Sequence, residues 1–179
     1  ININSPGILK FQENHDFLED IRQIKKLGAN AICVPICPAY FQSIKNYCED
    51  ILDPIIQICK DLSLYCLLDW HAQGNPIKGI TRDPNNFIDG YLKYDASLDV
   101  AIMSAEVLSS RYKNEPNVIF NPFSAFLESD KSDYLEATKI LLKTIRKNTD
   151  SIVIISAVDW PQSLKYAPFE ELNSEVNIV

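Results

Sequence analysis

Short apolar runs and helical hydrophobic periods alternate along this chain, and that alternation limits the folds open to it more than any other feature. Residues 1–4 read as a strand remnant, and largely apolar runs at 31–36, 64–68, 118–120 and 152–158 follow, separated by segments at 16–27, 47–62, 96–112 and 132–148 with apolar residues at helical spacing. A short run that is apolar throughout suits a strand covered on both faces, whereas a strand with one wet face alternates. Strand, helix, strand in regular succession predicts a parallel sheet with helices on its outside. Residues 178–179 read as the beginning of a further strand. No repeat, linker or low-complexity tract interrupts the pattern, so residues 1–179 read as a single domain.

Local signals sharpen the elements. Phe17, Leu18, Ile21, Ile24 and Leu27 form a stripe on the first helix, with Asn14 or His15 as the expected N-cap and Gly28 as the stop. Pro54 belongs in the first turn of the helix at 47–62, where a missing N–H costs least. Residues 37–45, rich in Pro and aromatics, read as a loop, as does the long Gly-, Asn-, Asp- and Pro-rich segment at 72–94. Residues 121–126 read as irregular.

A closed eight-stranded α/β barrel usually needs about 250 residues, so 179 residues of this pattern predict an incomplete one. An open nucleotide-binding sheet would carry a glycine-rich first turn, but the chain has only five glycines and no GxGxxG or GxxxxGK[ST]. Hydrophobic residues at 46% and charged residues at 23% are ordinary for a globular protein. A net charge of −7 points away from nucleic acid, whose partners carry basic patches. No run of about 20 apolar residues suits a membrane span. No signal peptide is visible; because residue 1 falls inside a strand pattern, one could precede it, and secreted and cytoplasmic locations both stay open. The five cysteines are odd in number and sit mostly in apolar patterns, which favours buried thiols. Cys33 and Cys37 are four apart without a second pair at zinc-like spacing, so no metal and no cofactor is expected. Nor is there a GxSxG elbow, an HExxH or a Cys–His pair with a third group.

In parallel α/β folds, ligands gather at the carboxyl ends of the strands. That rule selects Asp69, Trp70 and His71 after the run at 64–68, and Asp159 and Trp160 after the run at 152–158. An indole face suits a sugar ring, since the ring's C–H groups stack on it while hydroxyls stay free to hydrogen-bond. The same tryptophans could instead cap the core, and His71 could be a satisfied structural histidine. Glu128 and Asp130 follow the run at 118–120, and the Asp130–Asp133 segment has the look of helix-start chemistry.

The segment 111–126, RYKNEPNVIFNPFSAF, resembles the fourth strand of glycoside hydrolase family 5, the cellulase-like TIM barrels. There a helix ends in an Arg-Tyr-Lys-Asn-type turn and the strand reads Asn-Val-Ile-Phe-Glu-x-x-Asn-Glu-Pro. The resemblance extends to LLDWHA at 67–72, where family strands end in Asp-x-His before a small residue, and to Asp159-Trp160. It implies a partial TIM (β/α)8 barrel of about five to six βα units, a parallel sheet with outer helices. It further implies a domain that acts on or binds a β-linked polysaccharide, glucan or mannan, through retaining O-glycosyl hydrolysis. By the resemblance His71 lines the subsite of the scissile sugar, with Asp69, Trp70, Ser124, Asp159 and Trp160 around the substrate.

The same alignment exposes departures. The family's Asn-Glu-Pro falls on Ser124, Ala125 and Phe126, and an alanine at the acid/base position carries no proton. Cys33 stands where the family has an Arg supporting the nucleophile. Retaining enzymes need two carboxyl groups about 5 Å apart, and the family's nucleophile belongs to a seventh strand, beyond Val179. The resemblance therefore implies impaired hydrolysis. Glu128 and Asp130 are the substitute acids within reach along the chain. The alternatives are a carbohydrate-binding pseudoenzyme, or a related barrel hydrolase with relocated carboxylates. An oligo- or polysaccharide is the implied partner, and the oligomeric state is left open.

Overall fold

The computed structural model of the chain describes residues 16–81, 97–158, 172 and 177–179. The expected strand at 1–4 and the residues Asp159 and Trp160 lie outside that set. The described elements begin with α1 (Phe17–Lys26), β1 (Ala31–Ile36), α2 (Pro38–Ser43), a π-helical turn (Cys48–Leu52) and α3 (Asp53–Asp61). They continue through β2 (Tyr65–Trp70), β3 (Gln73–Asn75), β4 (Ile80–Thr81), α4 (Leu98–Arg111), β5 (Val118–Asn121), β6 (Ala125–Phe126) and α5 (Lys131–Arg146).

The main sheet has the order β1–β2–β5, parallel throughout, with Cys33 opposite Leu67 and Leu67 opposite Ile119. Parallel bridges from Phe120 to Val153 and from Val153 to Ile178 carry the same wall onward. Among the described residues, this wall does not close into a full barrel. Its two faces differ in cover. Residues turned toward the helices are sealed: Val34 and Cys66 are 0% exposed, Phe120 3%. Cys33, Leu67 and Ile119, turned toward the barrel axis, are only half-buried. The core lies between sheet and helices, where Ile21, Ile55, Ala101, Tyr134 and Leu141 pack against the wall.

Several expected boundaries move for identifiable reasons. The N-cap of α1 is Asp16, whose carboxylate accepts from the N–H groups of Leu18 (3.0 Å) and Glu19 (3.2 Å), rather than Asn14 or His15. Gly28 does stop the helix, at φ 90°, where a side chain would be strained. The loop expected at 37–45 contains α2, started by Pro38 at a position that needs no N–H. The helix expected at 47–62 is divided. Pro54 sits in the first turn of α3 and has no N–H to continue an α-helical ladder from the preceding turn, which adopts the wider π register. β2 runs two residues further than expected because Asp69 and Trp70 pair with Pro35 and Ile36. The run at 152–158 makes a bridge at Val153 and another at Val158 rather than one continuous strand.

A small second sheet closes over the carboxyl end of this wall. β3 lies between β4, antiparallel to it, and β6, parallel to it. Its members come from two segments expected to be irregular, after β2 and after β5. The backbone is threaded tightly there: the N–H groups of Ser124 and Ala125 donate to the carbonyls of Trp70 (3.0 Å) and Ala72 (3.2 Å). Among the described residues, no helix is long and apolar enough to cross a membrane.

Candidate functional site

Strand register brings the site together. Pro35, Asp69 and Asn121 are consecutive partners across β1, β2 and β5, and alternation turns Asp69 and Asn121 toward the axis side at the carboxyl ends. The next residue, Trp70, faces the other way for the same reason. It is 1% exposed and meets Phe41 edge-to-face, with ring centroids 5.4 Å apart. The expectation of Trp70 as a sugar platform is therefore corrected: its indole is core packing and has no face free.

Asp69 is the centre of the polar cluster. It is 6% exposed, and a buried carboxylate requires donors to replace its water. Asn121 Nδ2 donates to Asp69 Oδ1 at 2.8 Å, and His71 Nδ1 lies 3.0 Å from Oδ2. Ser124 Oγ donates to the same Oδ2 at 3.4 Å and is also 3.4 Å from His71 Nδ1. Behind Asn121, Nδ2 also donates to Ser156 Oγ at 3.1 Å, and the Ser156 carbonyl accepts from Tyr134 Oη at 3.1 Å. Three of the expected binding residues, Asp69, His71 and Ser124, thus meet at one point.

Asn121 and Ser156 escape a reading by motif alone. Asn121 ends an apolar run in the register of Asp69 and falls where the family pattern has Glu; Ser156 is a polar break in the run at 152–158. Polarity at a strand's carboxyl end was the available signal.

The remaining expected residues separate. Ala125 is buried at 3% exposure and belongs to β6. Asp130 is the N-cap of α5. The Asp133 N–H and the Ser132 hydroxyl, at 2.9 and 2.7 Å, hold its carboxyl down to about 2. A carboxyl held ionised in that way has no proton to give at neutral pH, so Asp130 is corrected from substitute acid to helix cap. Glu128 is exposed, on a turn with φ 56°, and its carbonyl accepts from Asn75 Nδ2 at 3.3 Å. Asn75 also donates to Asp133 Oδ2 at 2.8 Å, and Lys78 Nζ approaches the same oxygen at 2.7 Å, which binds the segment after β3 to the start of α5.

Cys33 adds no positive charge. Burial, and then the charge of Asp69, push its thiol up to about 12. All five cysteines are free thiols. Among the described residues, no group of three or more His, Cys, Asp or Glu is placed to hold a metal ion.

Comparison with known proteins decides the family. The model for Cellulase (glycosyl hydrolase family 5) matches residues 10–176. The chain belongs to glycosyl hydrolase family 5. Its fold resembles that of β-glucanase SdGluc5_26A from Saccharophagus degradans, with a TM-score of 0.82 at 20% identity over 100% of this chain and 54% of that one. The form of that enzyme in complex with cellotetraose gives a TM-score of 0.84 at 19% identity. The catalytic domain of Thermobifida fusca endoglucanase Cel5A gives 0.73 at 15% identity, over 99% of this chain and 55% of that one. The family 5 chain described here thus spans about half the length of these solved structures. No curated protein matches it.

Proposed function

We propose that this family 5 domain holds a β-linked gluco-oligosaccharide against the carboxyl ends of its strands and leaves the glycosidic bond intact. The observation that carries the reading is Ala125. Its position is that of the family's proton donor in the strand pattern, and a methyl group can neither protonate a leaving oxygen nor activate water. Retaining hydrolysis needs a protonated acid and a second carboxylate about 5 Å away. Asp69 accepts hydrogen bonds from its neighbours and is buried, while Asp130 is occupied as a cap. Binding asks for less: hydrogen-bond partners such as His71 and Ser124 suffice, with Trp160 as the expected stacking face. A glucan is favoured over a mannan because fold relatives include structures in complex with cellotetraose and with cellopentaose.

The test pairs calorimetric titration of cellotetraose with reducing-sugar release by the purified chain. Weak binding with no release is expected, and Ala125→Glu alone should not produce turnover, because the two carboxyl groups act as a unit. Release abolished by Glu128→Gln would overturn the non-hydrolytic reading and assign the acid to Glu128. Release abolished by Asp130→Asn would do the same for Asp130.

A further inference from the structure

We propose that Asp69, anchored by Asn121, is a positioning residue that fixes the tautomer and ring plane of His71, so that His71 Nε2 presents a hydrogen-bond acceptor to a sugar hydroxyl. The sugar in this statement rests on the proposed function; the tautomer does not.

The argument begins at Asp69 Oδ2. A carboxylate only accepts hydrogen bonds. Were His71 Nδ1 unprotonated, its lone pair would face Oδ2 at 3.0 Å with nothing between them. With the proton on Nδ1 the same contact is a charge-assisted hydrogen bond, and the neutral ring must then leave Nε2 bare. Ser124 fits that assignment: its hydroxyl donates to Oδ2, and its oxygen faces the Nδ1–H at 3.4 Å. The His71 side chain is 31% exposed while Nδ1 is turned onto a carboxylate that is 8% exposed. Nε2, across the ring from the Nδ1 contact, is the nitrogen that remains for another partner.

Asp69 is itself held from behind. The Asn121 amide must turn Nδ2 toward Asp69 Oδ1, because its carbonyl there would oppose a carboxylate at 2.8 Å. Ser156 Oγ reaches both ends of that amide, accepting from Nδ2 at 3.1 Å and donating to Oδ1 at 3.4 Å. Tyr134, fully buried, fixes Ser156 through its carbonyl. Hydrogen bonds therefore run from the helix layer through two strand ends to the imidazole, and the backbone adds the His71 N–H to Ile36 carbonyl bond at 3.0 Å. Such support behind a recognition group sets how well it is aimed.

Long-range proton–nitrogen correlation spectra of the chain labelled with 15N-histidine, at neutral pH and without sugar, read the tautomer directly. His71→Gln identifies the signals. The expected result is a wild-type ring that carries its proton on Nδ1 and leaves Nε2 bare; a proton on both nitrogens would overturn the acceptor assignment. Asp69→Asn, whose amide can donate to Nδ1, and Asn121→Leu should each reduce the Nδ1–H to Nε2–H ratio several-fold. Amide spectra identify variants that keep the fold. A wild-type ring protonated mainly on Nε2 would overturn the assignment without any variant, as would an unchanged ratio in folded Asp69→Asn. A second arm titrates cellotetraose. Asp69→Asn and His71→Gln should each weaken binding by roughly five- to tenfold, the size of one hydrogen bond, and the double variant by little more. Undiminished affinity in folded Asp69→Asn would overturn the positioning role. Absence of binding by the wild type would instead overturn the glucan reading, and with it the sugar hydroxyl at Nε2, while the tautomer stands or falls on the first measurement.

Discussion

Three aspartates near the strand ends carry one side chain and serve different ends, because different donors reach them. Asp69 is met by Asn121, His71 and Ser124 and gathers three polar side chains at the strand ends. Asp133 is met by Lys78 and Asn75 and ties two segments together. Asp130 is met by the Asp133 N–H and the Ser132 hydroxyl and caps α5. Its folded pKa is lowered to about 2 from an ordinary 3.8, so the capping stability is fully present above the higher value and is lost as pH falls through the lower. Asp130→Ala should therefore melt below the wild type at pH 6, and the gap between the two melting temperatures should close between pH 4 and pH 2. A gap independent of pH would show that the carboxylate's charge has no part in the cap. At this scale the sequence carried the site only in part. Asp69 and His71 were legible because polar residues at strand ends are conspicuous, Ser124 through the family resemblance, and Asp130 because caps have a signature. Trp70 was misread because β2 extends through it, and strand alternation then turns it away from its two neighbours.

The elements show where the strongest sequence motif belongs. The Arg111–Asn117 segment ends α4 and precedes β5, at the opposite end of that strand from Asn121, and its Arg111 and Tyr112 side chains fasten α4 to the start of α3 and the turn before it. Arg111 donates Nε and Nη2 to the two oxygens of Asp53, at 3.0 and 2.6 Å, and Nη1 to Glu49 at 2.9 Å. Tyr112, 4% exposed, donates its hydroxyl to the same Asp53 at 2.9 Å. The fork geometry of the guanidinium explains why Arg is needed there. Because the Arg111 cluster is partly open to solvent, its ion pairs contribute at most about 1 kcal/mol. The buried Tyr112 hydroxyl matters as much alone: Tyr112→Phe should destabilise by about 1 kcal/mol. Urea unfolding midpoints of Tyr112→Phe, Arg111→Lys and the double variant check both figures; losses that add in full would show that the two residues do not share Asp53 as an acceptor. The long helices α1, α3, α4 and α5 and the strands β1, β2 and β5 were legible from period and apolar pattern, while α2 and the interrupted run at 152–158 were not. Nor were the π turn before Pro54 and the short strands β3, β4 and β6. Two- and three-residue strands have no period of their own and exist through pairing with distant segments.

Across the whole molecule, the parallel wall followed from alternation, while the residues of its half-buried inner face follow from the register. In a closed barrel the axis is filled by layers of side chains from strands all around it. Among the described residues, the layer holding Cys33, Leu67 and Ile119 is half-buried, and nearby Tyr65 and Ile152 are 50% and 37% exposed. The sheet-to-helix side has no such deficit, with Ile32, Leu68 and Val118 each 1% exposed. Exposed apolar side chains that lie together draw partners, and collapse or association would cover those on the inner face. Association is the expected outcome, because the helix-side core holds the wall in shape and leaves Tyr65 and Ile152 exposed. Sedimentation velocity over a range of micromolar concentrations should show dimers or larger species that dissociate on dilution. Ile152→Lys should shift the distribution toward monomer, since it places a charge on the exposed rim at a position whose loss the core tolerates. A monodisperse monomer at every concentration, with one sharp melt, would mean that the inner face is covered within the chain. Binding measurements would then refer to a completed cleft rather than to an open wall.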